Sequence, residues 1–362
     1  MSSRLSAADA RPATDWVASL SPWPEEFGLE RMRSLLARLG HPERRFPAVH
    51  VVGTNGKSTA TRTIAALLRA EGRRAGAYTS PHVSDWAERI WVDGEEVDFE
   101  RAVARVRPDA EAVEATQFET VTAAALMEFA ERDVDVAVVE AGLGGRLDAT
   151  NVVDAEVVLL TNVSLEHTEV LGETAEEIAQ EKLAVAHAAR VVVLPDNDYA
   201  KFVPKGAEIV TGDERTAAEA FLGHPVAASV AVSLPGRLER RGRELRDGAH
   251  TAAGAVWLVE RIDEPVGVVV ASILAEKDVD AMLRTLASVS DRLVATQSGN
   301  PRALPAGELA ERAAAHFARV EVEPDPRAAL RHAVASSDGL VLVTGSLYLL
   351  ADLAASEEQD VR

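Results

Sequence analysis

The sequence predicts an α/β protein with two domains, the first built on a mostly parallel sheet. Short apolar runs alternate with helical segments along most of the chain, which is the pattern of βαβ units. A glycine-flanked turn containing a lysine follows the first apolar run, as in phosphate-binding folds. The length of 362 residues exceeds what one hydrophobic core usually supports, so a second domain is expected.

The composition is globular and argues against several functions. Hydrophobic residues make up 47% of the chain and charged residues 27%. A formal net charge of −20 argues against a general nucleic-acid binder or a protein of anionic membrane surfaces. Cysteine is absent, which excludes disulfides and thiolate chemistry. Without a signal pattern or a long apolar run, we expect a cytoplasmic monomer that binds small molecules rather than nucleic acid or membranes.

The first strand, Val49–Val52, leads into the sequence Gly-x-x-Gly-Lys-Ser at residues 53–58, here called the phosphate loop. Gly53 and Gly56 allow backbone N–H groups to turn toward a polyphosphate, and the helix that follows adds its positive N-terminal end. Lys57 places a compact cation on the outer phosphates. The structural alternative is a glycine-rich turn with an incidental lysine.

The remaining elements of the first domain follow from periodicity and turn signals. Asp93-Gly94 between apolar flanks predicts a hairpin, and Phe118, Val121, Ala125 and Phe129 recur at helical spacing. The predicted segments are helix 15–40, strand 75–79, helix 116–132, strand 134–139, strand 156–160, helix 174–188 and strand 191–194.

The second half alternates again between strands and helices, which predicts a smaller Rossmann-like domain. It lacks a Gly-x-Gly-x-x-Gly motif, so an independent dinucleotide site is not expected. We predict domains over residues 1–235 and 242–362, joined by a linker at 236–241. The predicted elements are helices 252–261, 279–287, 307–315 and 327–335, strands 266–271, 292–296, 320–322 and 339–343, and a last helix from 345.

Polar residues gather after four apolar strands, and ligands bind at this carboxyl edge in open α/β sheets. Ser80, Glu140 and His167 each follow a strand and could contact Mg²⁺ or a phosphate. Taken singly, a serine before proline is also a turn residue, a buried glutamate also pairs with arginine, and a lone histidine is also a core residue.

A second glycine loop contains Gly142, Gly144 and Gly145 and continues to Asp148. It could form a wall for an extended substrate with Asp148 as a hydrogen-bond acceptor, or it could be only a tight turn. Lys182 lies within a predicted helix, where a solvated partner is the default interpretation. Only five of the 38 basic residues are lysine, which favours a need for its amine.

Taken together, the motifs resemble those of the folylpolyglutamate synthase/dihydrofolate synthase family, in the Mur ligase superfamily, in order and over nearly the whole chain. The resemblance implies a P-loop ATPase domain of the Mur ligase type followed by the smaller Rossmann-like domain. The motifs are Phe27–Arg31, His50–Lys57, Thr79–His82, Glu88–Ile90, Thr116–Glu119, Glu140–Asn151, Glu166–Thr168, Glu181–Lys182, Pro235–Arg237, Asp247–His250 and Gly345–Tyr348.

The family resemblance implies an ATP-dependent carboxylate–amine ligase. A folate or pteroate carboxylate would attack ATP to give an acyl phosphate, and the amine of L-glutamate would displace phosphate. Lys57, Lys182 and His167 would be catalytic, with Lys182 carbamylated. Ser80, Glu140 and His167 would hold Mg²⁺ at two sites. The nucleotide residues would be Gly53, Thr54, Asn55, Gly56, Lys57, Ser58, Thr59, Arg237, Asp247 and His250. Thr116, Gln117, Phe118 and Asp148 would face the acid.

Three departures from the family pattern leave other functions open. Ser58 replaces the usual glycine, and Thr251 replaces an asparagine. The stretch 194–234 is short, and the nucleotide-contacting asparagine expected there is either replaced by Thr216 or missing. A Mur-type ligase for another carboxylate and amino acid, or a nucleotide-binding homologue without turnover, are the alternatives.

Overall fold

The computed structural model describes residues 12–24 and 26–360, and these form two compact units. The first unit comprises the residues up to His82 together with Trp86–Val232, and the second comprises Val83–Asp85 with the residues from Ser233 on. The outermost parts of the two predicted domains, residues 1–11 and 361–362, lie outside the described residues. The predicted domain bounds and the linker at 236–241 stay predictions.

The first unit is built on an eight-stranded sheet in the order β4-β3-β2-β5-β1-β6-β7-β8. The six strands from β2 to β8 along this order are parallel, whereas β3 pairs antiparallel with β2 and β4 pairs antiparallel with β3. The strands are β1 (Ala48–Val52), β2 (Ala75–Tyr78), β3 (Ile90–Val92), β4 (Glu95–Glu96), β5 (Val136–Glu140), β6 (Ala155–Leu160), β7 (Val191–Leu194) and β8 (Glu208–Thr211).

Helices cover both faces of this sheet, which explains why its central strands carry apolar side chains on both faces. Val49 and Val51 share a core with α3 and α8, whereas Ala48 and Val52 share a core with α5 on the other face. The helices are α1 (Ala13–Ala18), α2 (Glu30–Arg38), α3 (Lys57–Ala70), α4 (Phe99–Ala112), α5 (Gln117–Glu131), α6 (Thr168–Leu171), α7 (Ala175–Leu183) and α8 (Glu214–Leu222).

The second unit contains a six-stranded sheet in the order β13-β12-β11-β14-β10-β9, parallel except for β9. Its strands are β9 (Glu239–Arg241), β10 (Glu244–Arg246), β11 (Val266–Ala271), β12 (Arg292–Ala295), β13 (Arg319–Val322) and β14 (Leu340–Thr344). Its helices are α9 (Ala252–Val259), α10 (Val279–Leu286), α11 (Ala306–Ala313), α12 (Pro326–Ser336) and α13 (Leu347–Asp360). In the described part of the chain, no helix has the length and apolarity needed to cross a membrane.

The predicted α/β class is confirmed, but several elements differ from prediction, among them β8, α6 and α8, which were not predicted. The single helix predicted over 15–40 is two helices, α1 and α2, because Pro22 and Pro24 interrupt the segment. Helix α4 was not predicted, although Asp98 caps it by accepting a hydrogen bond from the backbone N–H of Arg101. Residues 239–241 of the predicted linker form strand β9, which pairs with β10.

Candidate active site

The phosphate loop connects β1 to the N-terminus of α3, as the glycine spacing predicts. Gly53 has a φ of 147°, and Gly56 has a φ of 78° as the residue that precedes the first turn of α3. Both values lie where side chains are disfavoured, and a Cβ at Gly53 would also overlap the hydroxyl of Thr161. The first N–H groups of α3 therefore face the end of the loop without an intervening capping side chain.

Two residues at the end of β6 hold the phosphate loop, and they were not predicted to have this role. The side-chain oxygen of Asn162 accepts a hydrogen bond from the backbone N–H of Asn55 at 3.0 Å, and its Nδ2 donates to the carbonyl of Asn55 at 2.9 Å. Thr161 Oγ1 donates to the same carbonyl at 2.7 Å. The only signal in the sequence was their place directly after β6, the strand that pairs with β1.

Two lysine amines bind backbone carbonyls of the phosphate loop. Lys57 Nζ donates to the carbonyl of Thr54 at 3.1 Å, and Lys182 Nζ donates to that of Gly53 at 2.8 Å. Lys182 is 2% exposed, and its burial, followed by the nearby charge of Lys57, lowers its pKa to about 7. The default interpretation of Lys182 as a solvated surface residue is therefore wrong.

Three further residues, Ser58, Ser80 and Glu140, meet beside the first turn of α3. Glu140, at the end of β5, accepts a hydrogen bond from Ser58 Oγ at 3.0 Å through one carboxylate oxygen and from the backbone N–H of Ser80 at 2.9 Å through the other. Glu140 is 1% exposed. Thr59, the remaining predicted phosphate residue, lies half-buried in the same turn. The predicted convergence of Ser80 and Glu140 at the loop is observed.

His167 occupies a different environment from Glu140. It precedes α6 with a φ of 49°, and its side chain is 43% exposed and lies 3.8 Å from Glu169 in an ion-pair geometry. Within residues 12–24 and 26–360, no group of three or more His, Asp or Glu side chains is placed to hold a metal ion. Participation of His167 in metal binding or catalysis stays a prediction.

The second glycine loop packs against α7, the helix that carries Lys182. A Cβ at Gly145 would clash with the backbone carbonyl oxygens of Lys182 and Glu181. The guanidinium of Arg146 pairs with the carboxylate of Glu181 at 3.1 Å. Asp148 is buried and directs its carboxylate into the loop, where it accepts hydrogen bonds from Thr150 and from the backbone N–H of Leu143.

The other residues predicted to face the acid have structural partners. Thr116 is the N-cap of α5 and forms a capping box with Glu119. Gln117 donates from Nε2 to the carbonyl of Val17 at 3.2 Å. Phe118 lies between two aromatic rings, with centroids 6.4 Å from Trp23 and 6.2 Å from Tyr78. Because Trp23 is 47% exposed, this aromatic group reaches the surface of the first unit.

In the second unit, two turns that contain predicted nucleotide residues are joined to each other. Asp247 is buried and accepts hydrogen bonds from the backbone N–H groups of Leu238 and Ala249, both at 2.9 Å. Burial raises its pKa, and the N–H groups and Arg237 oppose that rise. His250 Nδ1 lies 2.8 Å from the carbonyl of Gly248.

Two of the positions that depart from the family pattern, Thr251 and Thr216, have local structural roles. Thr251 is the N-cap of α9 and accepts a hydrogen bond from the N–H of Gly254 at 3.0 Å. Thr216 lies in the first turn of α8, where its hydroxyl fills the space a Cβ at Gly212 would need. The hydroxyl of Thr216 also donates to the carboxylate of Asp213, the N-cap of α8, so both threonines support helix N-termini.

Two family models match the chain. The Mur ligase middle domain matches residues 51–218, and the Mur ligase glutamate ligase domain matches residues 236–347. These matches and the phosphate loop at the carboxyl edge of a parallel sheet define a Mur ligase. The chain is 31% identical over 413 residues to the dihydrofolate synthase/folylpolyglutamate synthase of Mycobacterium tuberculosis, covering 86% of this chain and 85% of that protein. The chain belongs to the dihydrofolate synthase/folylpolyglutamate synthase family.

Solved structures of this family are similar along nearly the full chain. A structure of E. coli FolC in complex with DHPP and ADP matches with a TM-score of 0.85 at 27% identity, covering 98% of this chain and 99% of that one. The bifunctional enzyme from Yersinia pestis with Mn, AMPPNP and L-glutamate bound matches with a TM-score of 0.81 at 29% identity, covering 96% and 98%.

Proposed function

We propose that the chain is an ATP-dependent ligase that joins a folate- or pteroate-type acid to the amine of L-glutamate through an acyl phosphate. The observation that carries this proposal is the convergence of the phosphate loop, two lysine amines and the hydrogen-bonded residues Ser58, Glu140 and Ser80 at one sheet edge. Phosphoryl transfer depends chiefly on positioning and on charge neutralisation, and these groups supply both.

ATP would bind along the phosphate loop. The loop amides and the N-terminus of α3 are the partners that phosphate oxygens require, and Lys57 adds a positive charge. The predicted contributions of Arg237, Asp247 and His250 to nucleotide binding stay predictions. ADP is present in the structure of the E. coli relative, and AMPPNP in that of the Yersinia relative.

The oxygen donors beside α3 fit a magnesium ion. Mg²⁺ prefers oxygen ligands, and a hydroxyl directly after the loop lysine is its usual partner in phosphate loops. Ser58 occupies that position, and its hydroxyl already contacts the carboxylate of Glu140. Ser80 and Glu140 would therefore hold the ion, which when bound neutralises charge on the phosphates.

Lys182 would be carbamylated in the active enzyme. With a pKa lowered to about 7, much of its amine is unprotonated at neutral pH and able to attack CO₂. The nitrogen forms a bond to carbon and releases a proton, leaving a carbamate with one negative charge. Lys57, whose charge lowers the pKa of the Lys182 amine, would instead attract that carbamate.

The acid would lie near the second glycine loop and α5. The aromatic group of Phe118, Trp23 and Tyr78 provides stacking surface for a flat ring system, and its exposed edge gives access. The observed partners of Thr116, Gln117 and Asp148 give these residues a role in shaping this surface.

A phosphate-release screen of pterin-containing acids crossed with amino acids tests the proposal. We expect ATP hydrolysis that requires both a pteroate or folate compound and L-glutamate. Release with a different acid and amino acid would identify a Mur-type ligase of other specificity. ATP binding without amino-acid-dependent release would identify a homologue that does not turn over.

A further inference from the structure

His50 lies in the middle of β1 and has no part in the ligand contacts proposed above. It is 0% exposed, and strand alternation places it on the α5 face of the sheet with Ala48 and Val52. A fully buried imidazole in an apolar core is costly unless its nitrogens are satisfied. Among the described residues, its imidazole has one hydrogen bond, which joins Nε2 to Thr150 Oγ1 at 2.8 Å.

The hydroxyl of Thr150 connects His50 to the second glycine loop. Thr150 is 0% exposed, and its Oγ1 donates a short hydrogen bond to one carboxylate oxygen of Asp148. The other carboxylate oxygen accepts the backbone N–H of Leu143 at 2.8 Å. A chain of three side chains therefore runs from the strand below the phosphate loop to the turn at residues 142–145.

This chain determines which nitrogen of His50 carries the proton. Burial raises the pKa of Asp148, and hydrogen bonds from the Thr150 side chain and from the backbone N–H groups of Leu143 and Thr150 to its carboxylate oppose that rise. The hydroxyl of Thr150 gives its one hydrogen to this carboxylate, so toward His50 it can only accept. His50 must then donate from Nε2, and Nδ1 must be unprotonated. Nδ1 is buried and has no hydrogen-bond partner among the described residues, and an unprotonated nitrogen there avoids a buried unpaired N–H donor. Burial, with a smaller contribution from His187, lowers the pKa of His50 to about 3, in keeping with a neutral ring.

The position of this turn bears on two elements of the proposed site. A Cβ at Gly142 would overlap the ring of Phe118, and a Cβ at Gly145 would overlap the backbone of Lys182. The turn thus packs closely against the proposed acid-binding aromatic group and against the helix that carries the buried amine. A small displacement of residues 142–145 would be transmitted to both.

We propose that His50 is a positioning residue, which acts through Thr150 and Asp148 to hold the second glycine loop against Phe118 for binding of the acid. The part of this inference that concerns the acid rests on the proposed function. The part that concerns the tautomer of His50 and the position of the loop is independent of the proposed function. It is measured by NMR and amide exchange, which do not require enzymatic turnover.

The tautomer is tested by NMR of the unsubstituted protein labelled with ¹⁵N-histidine. The signals of His50 are assigned among the nine histidines by their loss in His50→Gln. We expect Nε2 protonated, Nδ1 unprotonated and no titration between pH 5 and 9. A proton on Nδ1, or titration in this range, would overturn the proposal whether or not the chain is a ligase.

The positioning role is tested with paired variants. Thr150→Val removes the hydroxyl at nearly equal volume, whereas Thr150→Ser retains a hydroxyl. His50→Leu removes the side-chain N–H donor that faces Thr150, whereas His50→Gln retains an N–H donor. For the two removals we expect the KM for the pteroate-type acid to rise about tenfold, with the KM for ATP changed less than about twofold. The double variant His50→Leu/Thr150→Val should have a KM for the acid no higher than that of either single variant, because both substitutions break the same chain of hydrogen bonds.

A control separates positioning from loss of stability. Val49→Ala removes packing from the opposite face of the same strand and should lower the Tm without a selective rise in the KM for the acid. Amide exchange at Leu143 should accelerate in Thr150→Val but not in Val49→Ala. Equal effects of Thr150→Val and Val49→Ala on both KM values and on this amide would refute the proposal. Should His50→Leu fail to fold, the Thr150 pair decides alone.

Discussion

The ammonium nitrogen of Lys182 lies 2.8 Å from the carbonyl oxygen of Gly53, 129 residues earlier in the chain. This contact places a buried amine against the phosphate loop, and Lys57 of that loop is close enough to lower the pKa of Lys182 further. A buried positive charge beside a second cation is unfavourable in the free protein. It becomes favourable once negative charge arrives, as phosphate or as a carbamate.

Replacement of Lys57 tests the phosphate loop. We expect Lys57→Ala to reduce kcat/KM by about 10²-fold or more, because the lysine neutralises charge in the transition state. Lys57 is only half-buried, so the Tm should stay close to that of the wild-type protein. Steady-state phosphate release and thermal unfolding measure the two effects. The exposed Lys205, changed to alanine, serves as the control and should alter neither.

Carbamylation of Lys182 predicts chemical rescue. Lys182→Ala should be inactive, and added short carboxylates such as formate or acetate should restore part of the activity by supplying the missing negative group. Lys57→Ala should not respond to the same additives. If no carboxylate raises the activity of Lys182→Ala while the protein remains folded, the carbamate assignment is wrong.

The lowered pKa of Lys182 also predicts a pH dependence of stability. The group binds a proton below about pH 7 in the folded state and below 10.5 in the unfolded chain. Between pH 7 and pH 10.5 the unfolded state binds more protons than the folded state. The contribution of Lys182 to the free energy of unfolding therefore rises with pH, and it is least favourable below pH 7. Lys182→Met should therefore stabilise the protein more at pH 6 than at pH 9.

Denaturant titrations in CO₂-free buffer at the two pH values measure this difference. Lys205→Met, at an exposed position, should show the same small effect at both. An equal effect of Lys182→Met at pH 6 and pH 9 would mean that the amine has an ordinary lysine pKa in the folded protein.

The backbone at Gly53 predicts a severe effect of one methyl group. Gly53→Ala places a Cβ at a φ of 147° and against the hydroxyl of Thr161, so we expect lost stability and lost nucleotide binding together. Gly307→Ala is the matched control. That glycine lies in α11 with open space around its Cβ position, and its replacement should raise stability by up to about 1 kcal/mol. Thermal unfolding and nucleotide titration measure both.

The phosphate loop was predictable because its requirements are local. Glycines at residues 53 and 56 and a lysine at the helix start reveal a strand–turn–helix without knowledge of any distant partner. The hydrogen bonds from the Asn162 side chain to the backbone of Asn55 were not predictable. They join groups 107 residues apart in the chain, which meet only when β1 and β6 pair. Long-range pairing of this kind leaves no periodic signal in the sequence.

The same contrast applies to the residues expected to face the acid. Thr116 was named for substrate contact, and the structure shows it capping α5 together with Glu119, a pattern that the Thr-x-x-Glu spacing already contains. Asp148 directs its carboxylate into its own loop. Family motifs mark positions that matter, but they do not separate residues that touch a ligand from residues that shape the surface around it.

The two hydrogen bonds between the Asn162 side chain and the backbone of Asn55 make the protein sensitive to deamidation during storage. Asn162 presents a donor to the carbonyl of Asn55 and an acceptor to its N–H, and among side chains of this size only an amide offers both. Slow hydrolysis to aspartate would turn the donor into a second acceptor facing the Asn55 carbonyl. A stored preparation would then bind nucleotide more weakly, although both sheets would remain folded. The change would be detectable as a mass increase of about one dalton.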